Sequence, residues 1–516
     1  MNHKKTRVVS LLALAIAPLY FFLQSGCSRC DEKPVYFSVL QLNDVYEIAP
    51  LSGTDEGGMA RVATIRDQLR TKDPRLLTVL AGDFVSPSFI GTLTVTDSVT
   101  KKSNRILGRQ MVQVMNDLGV DLVTFGNHEF DIPIADLQKR IDESRFTWIS
   151  SNVIRHTKSG PQAFVKRRGT QRESISPYFI KSIDAGNNKK VRVGFIGATL
   201  DFNKADSIIY KDVFSSVKET YLSLKDSCDV FIAVTHLDFA MDSVLARTVP
   251  QLNLIIGGHE HEHNYRIIGD VVIAKADANA KTVYYHRLVY HPNAKKTAVQ
   301  SQLIAIDSKV KSQEAVDRTV KKWTSIAHEL ILRKGYQPDN KIYKASQVLD
   351  GREKEIRNHP TLYTQLIAEA LLYSFPTADA ALYNSGSLRL DDQLTGDVTE
   401  YDVLRSLPFG GAVGILTIQG RDLLKALEVG TVSNRGSGGY LQLANMTYSN
   451  GNGYINNQKI EATKTYKIAM PQFVANGKEA GLDFLAALPF QNSGVKPGIK
   501  NDIVDMVISY LKAQNK

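Results

Sequence analysis

Short β-branched runs alternate with amphipathic stretches from about residue 34 to about residue 300, and a polar motif directly follows five of the apolar runs. Alternation of this kind gives strands joined by crossover helices, hence an α/β unit with a largely parallel sheet. Predicted strands are 35–42, 76–80, 122–125, 191–196, 230–234 and 252–256, with crossover helices such as 58–69 and 110–118. At 516 residues the chain exceeds what one core usually organises, so two domains are expected. Between them, Val316, Val320, Trp323, Ala327 and Leu330 recur at helical spacing and predict a linking helix over 314–330. Strand 342–349, helix 361–372, strand 380–383 and turn-rich loops follow. The expected division is 34–305, a link over 306–340, and 341–516.

The first residues form a basic head, Lys4, Lys5 and Arg7, leading into an apolar run from Val8 to Leu23, the pattern of an export signal over 1–26. Cys27 follows Ser25-Gly26, as at a lipoprotein cleavage site, and is the expected lipidation position, with 28–33 as a tether. An uncleaved anchor helix and a simple secretory signal are the alternatives; all three export the chain to a periplasmic or cell-surface location. Cys30 and Cys228 are then too few for a disulfide framework. Losing the leader lowers the +10 charge balance by three, which suits phosphate-bearing substrates but does not select nucleic acid, and no basic stripe interleaved with aromatics occurs. No obligate protein partner is expected.

The five motifs are Asn43-Asp44-Val45-Tyr46, Gly82-Asp83, 126–131 (Gly-Asn-His-Glu-Phe-Asp), Thr235-His236 and 257–261 (Gly-Gly-His-Glu-His). Strand ends are where open α/β sheets present functional loops. A mixed Asp, Asn and His set suits zinc, manganese, cobalt or iron. Two such ions need a bridging carboxylate, for which Asp83, after a turn-permitting glycine, is the natural candidate. In an extended segment, His259 and His261 would lie on one side and could serve one metal each. Any one motif alone is more often a turn or a solvated side chain. Five in order at strand ends make coincidence a poor account.

That order resembles the calcineurin-like metallophosphoesterases over about residues 35–290, and the resemblance implies a four-layer β-sandwich flanked by helices. It further implies two divalent metal ions, with Asp44 and His261 on one, Asn127, His236 and His259 on the other, and Asp83 between. A metal-bound hydroxide would attack phosphorus, assisted by His128, with Asp131 orienting that imidazole. The usual first motif is Asp-x-His, but Tyr46 stands here. A weak first metal, a different ion, or ligation through the Tyr46 phenolate are the readings this leaves open.

In the second region, Asn384-Ser385-Gly386-Ser387-Leu388-Arg389, then Phe409 in a Leu-Pro-Phe-Gly-Gly run, and Gly481-Leu482-Asp483-Phe484 resemble the C-terminal domain of bacterial 5′-nucleotidases. The match implies a smaller α+β substrate domain in which Asn384 and Arg389 contact a nucleotide while Phe409 and Phe484 sandwich its base. Arg357 remains where the family offers an arginine, but Thr364-Gln365 replace a Gly-Asn pair. Hydrolysis of nucleotide phosphomonoesters is therefore expected. Cyclic-nucleotide or nucleotide-sugar hydrolysis, and a surface lipoprotein that binds nucleotide without catalysis, are the alternatives. Base-binding groups and metal motifs lie in different domains, so rotation about 314–340 is also expected.

Overall fold

The structure, a computed structural model, describes residues 33–96, 103–186, 188–201 and 207–515. The export leader and Cys27 lie outside the described residues. Among those described, no helix is long and apolar enough to cross a membrane.

Two six-stranded mixed sheets pack face to face in the front unit. In the first, Val35–Leu42, Leu77–Leu80, Leu122–Thr124 and Thr147–Ile149 run parallel, with Thr282–His291 antiparallel to Val35–Leu42 and Lys296–Ala305 beyond it. In the second, Lys189–Thr199, Val230–His236, Leu254–Gly257 and Val271–Lys275 run parallel between two antiparallel edge strands. Phe37, Val39 and Val79 of one sheet meet Phe195, Ile232 and Ile256 of the other in a buried apolar seam. Because the strands bury both faces, they read as continuous apolar runs rather than alternating ones. Helices Met59–Lys72, Arg109–Leu118 and Ile134–Glu143 cover the outer face of the first sheet, and Val213–Leu224 with Phe239–Thr248 cover that of the second. This is the expected four-layer arrangement.

The buried amide of Gln41 ties the sheets together beneath the strand ends. It donates to the carbonyls of Gly257 (3.2 Å) and Ala274 (2.8 Å) and accepts from His286 Nε2 at 2.8 Å.

Glu314–Arg333 forms the linking helix, slightly longer than its sequence period suggests, with Val316, Val320, Trp323, Ala327 and Ile331 buried. It stays with the front unit: Trp323 Nε1 donates to Gln113 Oε1 at 2.9 Å and Thr319 Oγ1 to Asp117 at 2.6 Å. Tyr336 and Gln337 already bond to the rear unit, through Asp505 and Glu400. Rearward, a five-stranded sheet has Leu362–Ser374 and Ile503–Gln514 on one face and Gly420–Glu428 on the other. Thr361 and Thr364 form a reciprocal capping box at the start of Leu362–Ser374, which assigns Thr364 a helix-starting task.

Candidate active site

Asp44, Asp83 and Asn127 each lie just beyond a strand of the first sheet, while His236 ends and His259 follows strands of the second. The parallel strands of both sheets bring their carboxyl ends to one edge of the sandwich, so these residues meet there. Ligand atoms of Asp44, Asp83 and His236, all fully buried, lie within 4.8 Å of one another.

Small residues permit this crowding. A Cβ on Gly126 would stand 2.0 Å from Asp83 Oδ1, and one on Gly258 2.6 Å from the Ala81 carbonyl and 3.0 Å from Asp44 Oδ2. Asp44, Asp83, His259 and His261 all have positive φ (52°, 53°, 94° and 62°). Side chains rarely adopt that region, at about 1–3 kcal/mol each, and such strain clusters at functional sites. It also corrects the extended reading of 259–261: the chain curls, so the two imidazoles diverge. His259 Nδ1 lies 3.2 Å from Asn127 Oδ1, and its Nε2 lies 3.4 Å from Asp238. His261 Nε2 lies 3.0 Å from the Tyr46 hydroxyl and 3.5 Å from Asp44 Oδ1.

Buried polar atoms at this edge without a hydrogen-bond partner include Asp44 Oδ1, Asn127 Nδ2 and His236 Nε2. His236 Nδ1 sits 2.8 Å from the Ala81 carbonyl, a contact only an N–H can make, which leaves Nε2 with its lone pair in the neutral ring. That nitrogen is 3.1 Å from Asp83 Oδ2, with which the protonated ring forms an ion pair. Burial lowers the His236 pKa, but Asp83 and Asp44 raise it to about 9. For Asp83, burial raises the pKa, yet His236 and His128 hold it well below the carboxylate range. Two buried carboxylates and an imidazole gathered this closely, with Asp44 Oδ1 left without a hydrogen bond, are the donor set a borderline divalent cation takes, so the residues fit a metal. Tyr46 donates its hydroxyl to Asp83 Oδ2 at 3.1 Å, and burial, followed by Asp83 and Asp44, pushes its pKa well up, so the phenol keeps its proton here.

His128 sits one residue past Asn127, with its backbone N–H on Asp83 Oδ1 at 2.8 Å and its Nδ1 2.6 Å from Asp131 Oδ2. Burial works against its charged form, but Asp83 and Asp131 outweigh it and raise the pKa. With Tyr46, His261, Glu353, Arg389 and Asp391 it lines the cleft between the units, where the free volume is about 10 Å³. That is room for about one water.

Sequence reasoning assigned no role to four charged residues here. Glu129, inside the 126–131 motif, is fully buried and accepts from the backbone N–H groups of Asp83, Phe84, Val85 and Gly126. Burial and the charge of Asp83 raise its pKa to about 7 against those four bonds. Lys275 ends an apolar strand and pairs with Asp242 (2.9 Å) and Glu260 (2.5 Å) while donating to the carbonyls of Leu237 and Gly258, which pins the histidine loop from below. A lone lysine closing a buried strand was the signal. Glu353 and Asp391 reach His261 from the rear unit, and nothing local announced them.

Among the expected substrate residues, Arg389 faces the cleft with its guanidinium carbon 5.7 Å from the Phe409 ring, and Phe409 is 59% exposed. Asn384 is engaged within its own unit, donating to Glu479 Oε1 and accepting from Ser387, both at 2.6 Å. Phe484 is half-buried against the rear core, under the Lys425 ammonium at 4.2 Å. The two phenylalanines therefore occupy different settings, one open and one packed.

Residues 37–263 match the family model described as calcineurin-like phosphoesterase, and residues 341–487 that of the 5′-nucleotidase C-terminal domain. A 5′-nucleotidase of Vibrio cholerae is 25% identical over 525 residues, covering 88% of each chain. One of Homo sapiens is 21% identical over 506 residues, covering 85% of this chain and 83% of that one. The crystal structure of a 5′-nucleotidase precursor from Thermus thermophilus shares the fold at TM-score 0.71 and 20% identity, over 93% of this chain and 97% of that one.

Proposed function

From the premise that this chain is a hydrolase belonging to the two-domain 5′-nucleotidase family, a calcineurin-like phosphoesterase unit followed by a 5′-nucleotidase C-terminal unit, we propose that it releases phosphate from nucleotide phosphomonoesters outside the cytoplasm. The observation that carries this reading is the buried cluster of Asp44, Asp83 and His236, whose ligand atoms lie within 4.8 Å of one another beside His128.

Asp44, Asp83, Asn127, His236, His259 and His261 would hold two divalent cations. Bound there, such ions lower the pKa of water and offset phosphate charge. Fixed by Asp131 and kept charged by its neighbours, His128 presents an N–H to the phosphoryl oxygens or the leaving oxygen, where negative charge grows. Arg389 draws the phosphate into the cleft, and its place under Phe409 supports stacking of the base beside it. Asn384 joins by exchanging Glu479 for substrate. Export, and attachment to a membrane through acylated Cys27, complete the proposal from the leader sequence.

The test is phosphate release from AMP by purified mature chain with manganese, zinc or cobalt, alongside cyclic and sugar nucleotides. Asp83→Asn and His128→Ala should abolish it, and no turnover of any of these would remove the reading. A Cys27→Ser form should leave the membrane fraction.

A further inference from the structure

The carboxylate of Asp391 enters the front site from the other unit. It follows Arg389 by two residues, is 8% exposed, and adopts φ 44°. Its Oδ1 accepts from the backbone N–H of Glu353 at 2.9 Å. Its Oδ2 is buried and faces His261 Nδ1 at 2.7 Å, and neither atom has another hydrogen-bond partner. The opposite nitrogen, His261 Nε2, faces Tyr46 and Asp44 Oδ1. Glu353 also faces the ring, at 3.7 Å, but is paired with Arg357. One imidazole thus turns one nitrogen to the metal cluster and the other to a carboxylate, the arrangement that fixes the tautomer and aim of a metal-bound histidine.

We infer that Asp391 is a positioning residue for His261, so that the front unit's metal site is complete only when the rear unit is apposed as seen here. The inference rests on His261 being a metal ligand, and it adds a linkage. Whatever free energy Asp391 adds to metal binding, metal binding returns to apposition, because coupling between two equilibria is reciprocal. The loop carrying Arg389 is then drawn to the site by the metal as well as by substrate.

Two measurements on the full mature chain test this. In a titration of chelator-treated protein with Mn²⁺, Asp391→Asn should bind about 10- to 100-fold more weakly than wild type, the usual effect of removing such a partner. The melting temperature of the metal-free variant should stay near that of wild type. In hydrogen exchange, amides of residues 388–392 should slow on Mn²⁺ addition to wild type, a comparison that needs no variant. Equal Mn²⁺ affinities in the two proteins, or exchange at 388–392 indifferent to Mn²⁺, would overturn the inference while leaving the metal site intact. Failure of wild type to bind Mn²⁺ or Zn²⁺ at all would overturn the underlying metal reading instead.

Discussion

Glu129 shows how one side chain sets the geometry of a whole loop. Its two oxygens take up four backbone N–H groups that would otherwise be buried without partners, three of them around Asp83. Each orphaned donor costs about 1–3 kcal/mol. Glu129→Ala should therefore lose at least about 4 kcal/mol in urea unfolding, on that same per-donor cost. It should also bind Mn²⁺ poorly, because Asp83 is no longer held. His286 acts differently. Burial lowers its pKa to about 3, so it stays neutral between Gln41 and Ser301. The unfolded chain takes up that proton below about pH 6.5. The folded pKa is the depressed one, so stability is full above about 6.5 and falls as pH drops from there towards 3. His286→Gln should flatten that slope by up to one proton, read from melting temperatures at pH 7 and pH 5. Equal slopes would show that the ring takes up its proton while folded.

At the scale of elements, the site is an effect of strand ends converging. The turn after Leu122–Thr124 touches the turn after Leu77–Leu80, and Gly126 makes that contact possible. Gly126→Ala places a methyl 2.0 Å from Asp83 Oδ1 and 2.5 Å from its backbone nitrogen, so the carboxylate and its turn must move. Phosphate release should fall at least about 100-fold, since a displacement of about 1 Å near the chemistry can cost that much. The circular-dichroism spectrum should remain that of wild type, and full activity with the alanine would mean that Asp83 is not at the reaction centre.

Across the whole molecule, the units are shut on the site. Tyr46, His128 and His261 face Glu353, Arg389 and Asp391 across a narrow cleft, so turnover is expected to need the units to part. The link is arranged for this: the helix ending at Arg333 holds to the front unit, Tyr336 bonds to the rear, and Gly335, at φ 90° with open space where a Cβ would stand, lies between. An open pocket of about 300 Å³ lined by Ala327, Ile331 and Tyr401 lies beside the joint. Lys354 of the rear unit pairs with Glu262 of the front across the seam. Cysteines at these two positions, joined by a reducible thiol linker, should stop AMP turnover until the linker is reduced. Undiminished turnover in the joined form would mean that substrate enters without separation of the units.

The sequence alone determined the α/β class, the linking helix and the cluster of strand-end motifs, because hydrophobic period and the glycine beside a polar residue are properties of neighbours along the chain. Val316, Val320 and Trp323 declare a buried helical stripe whatever lies opposite, and Gly82-Asp83 declares a turn that carries a carboxylate. Only the tertiary structure decided that 259–261 curls, that Glu129 and Lys275 brace the loops, and that Asp391 faces His261. Those outcomes depend on packing between segments that are not neighbours along the chain or on φ angles that surrounding contacts impose. No local pattern of residues encodes which distant carboxylate a buried imidazole will meet.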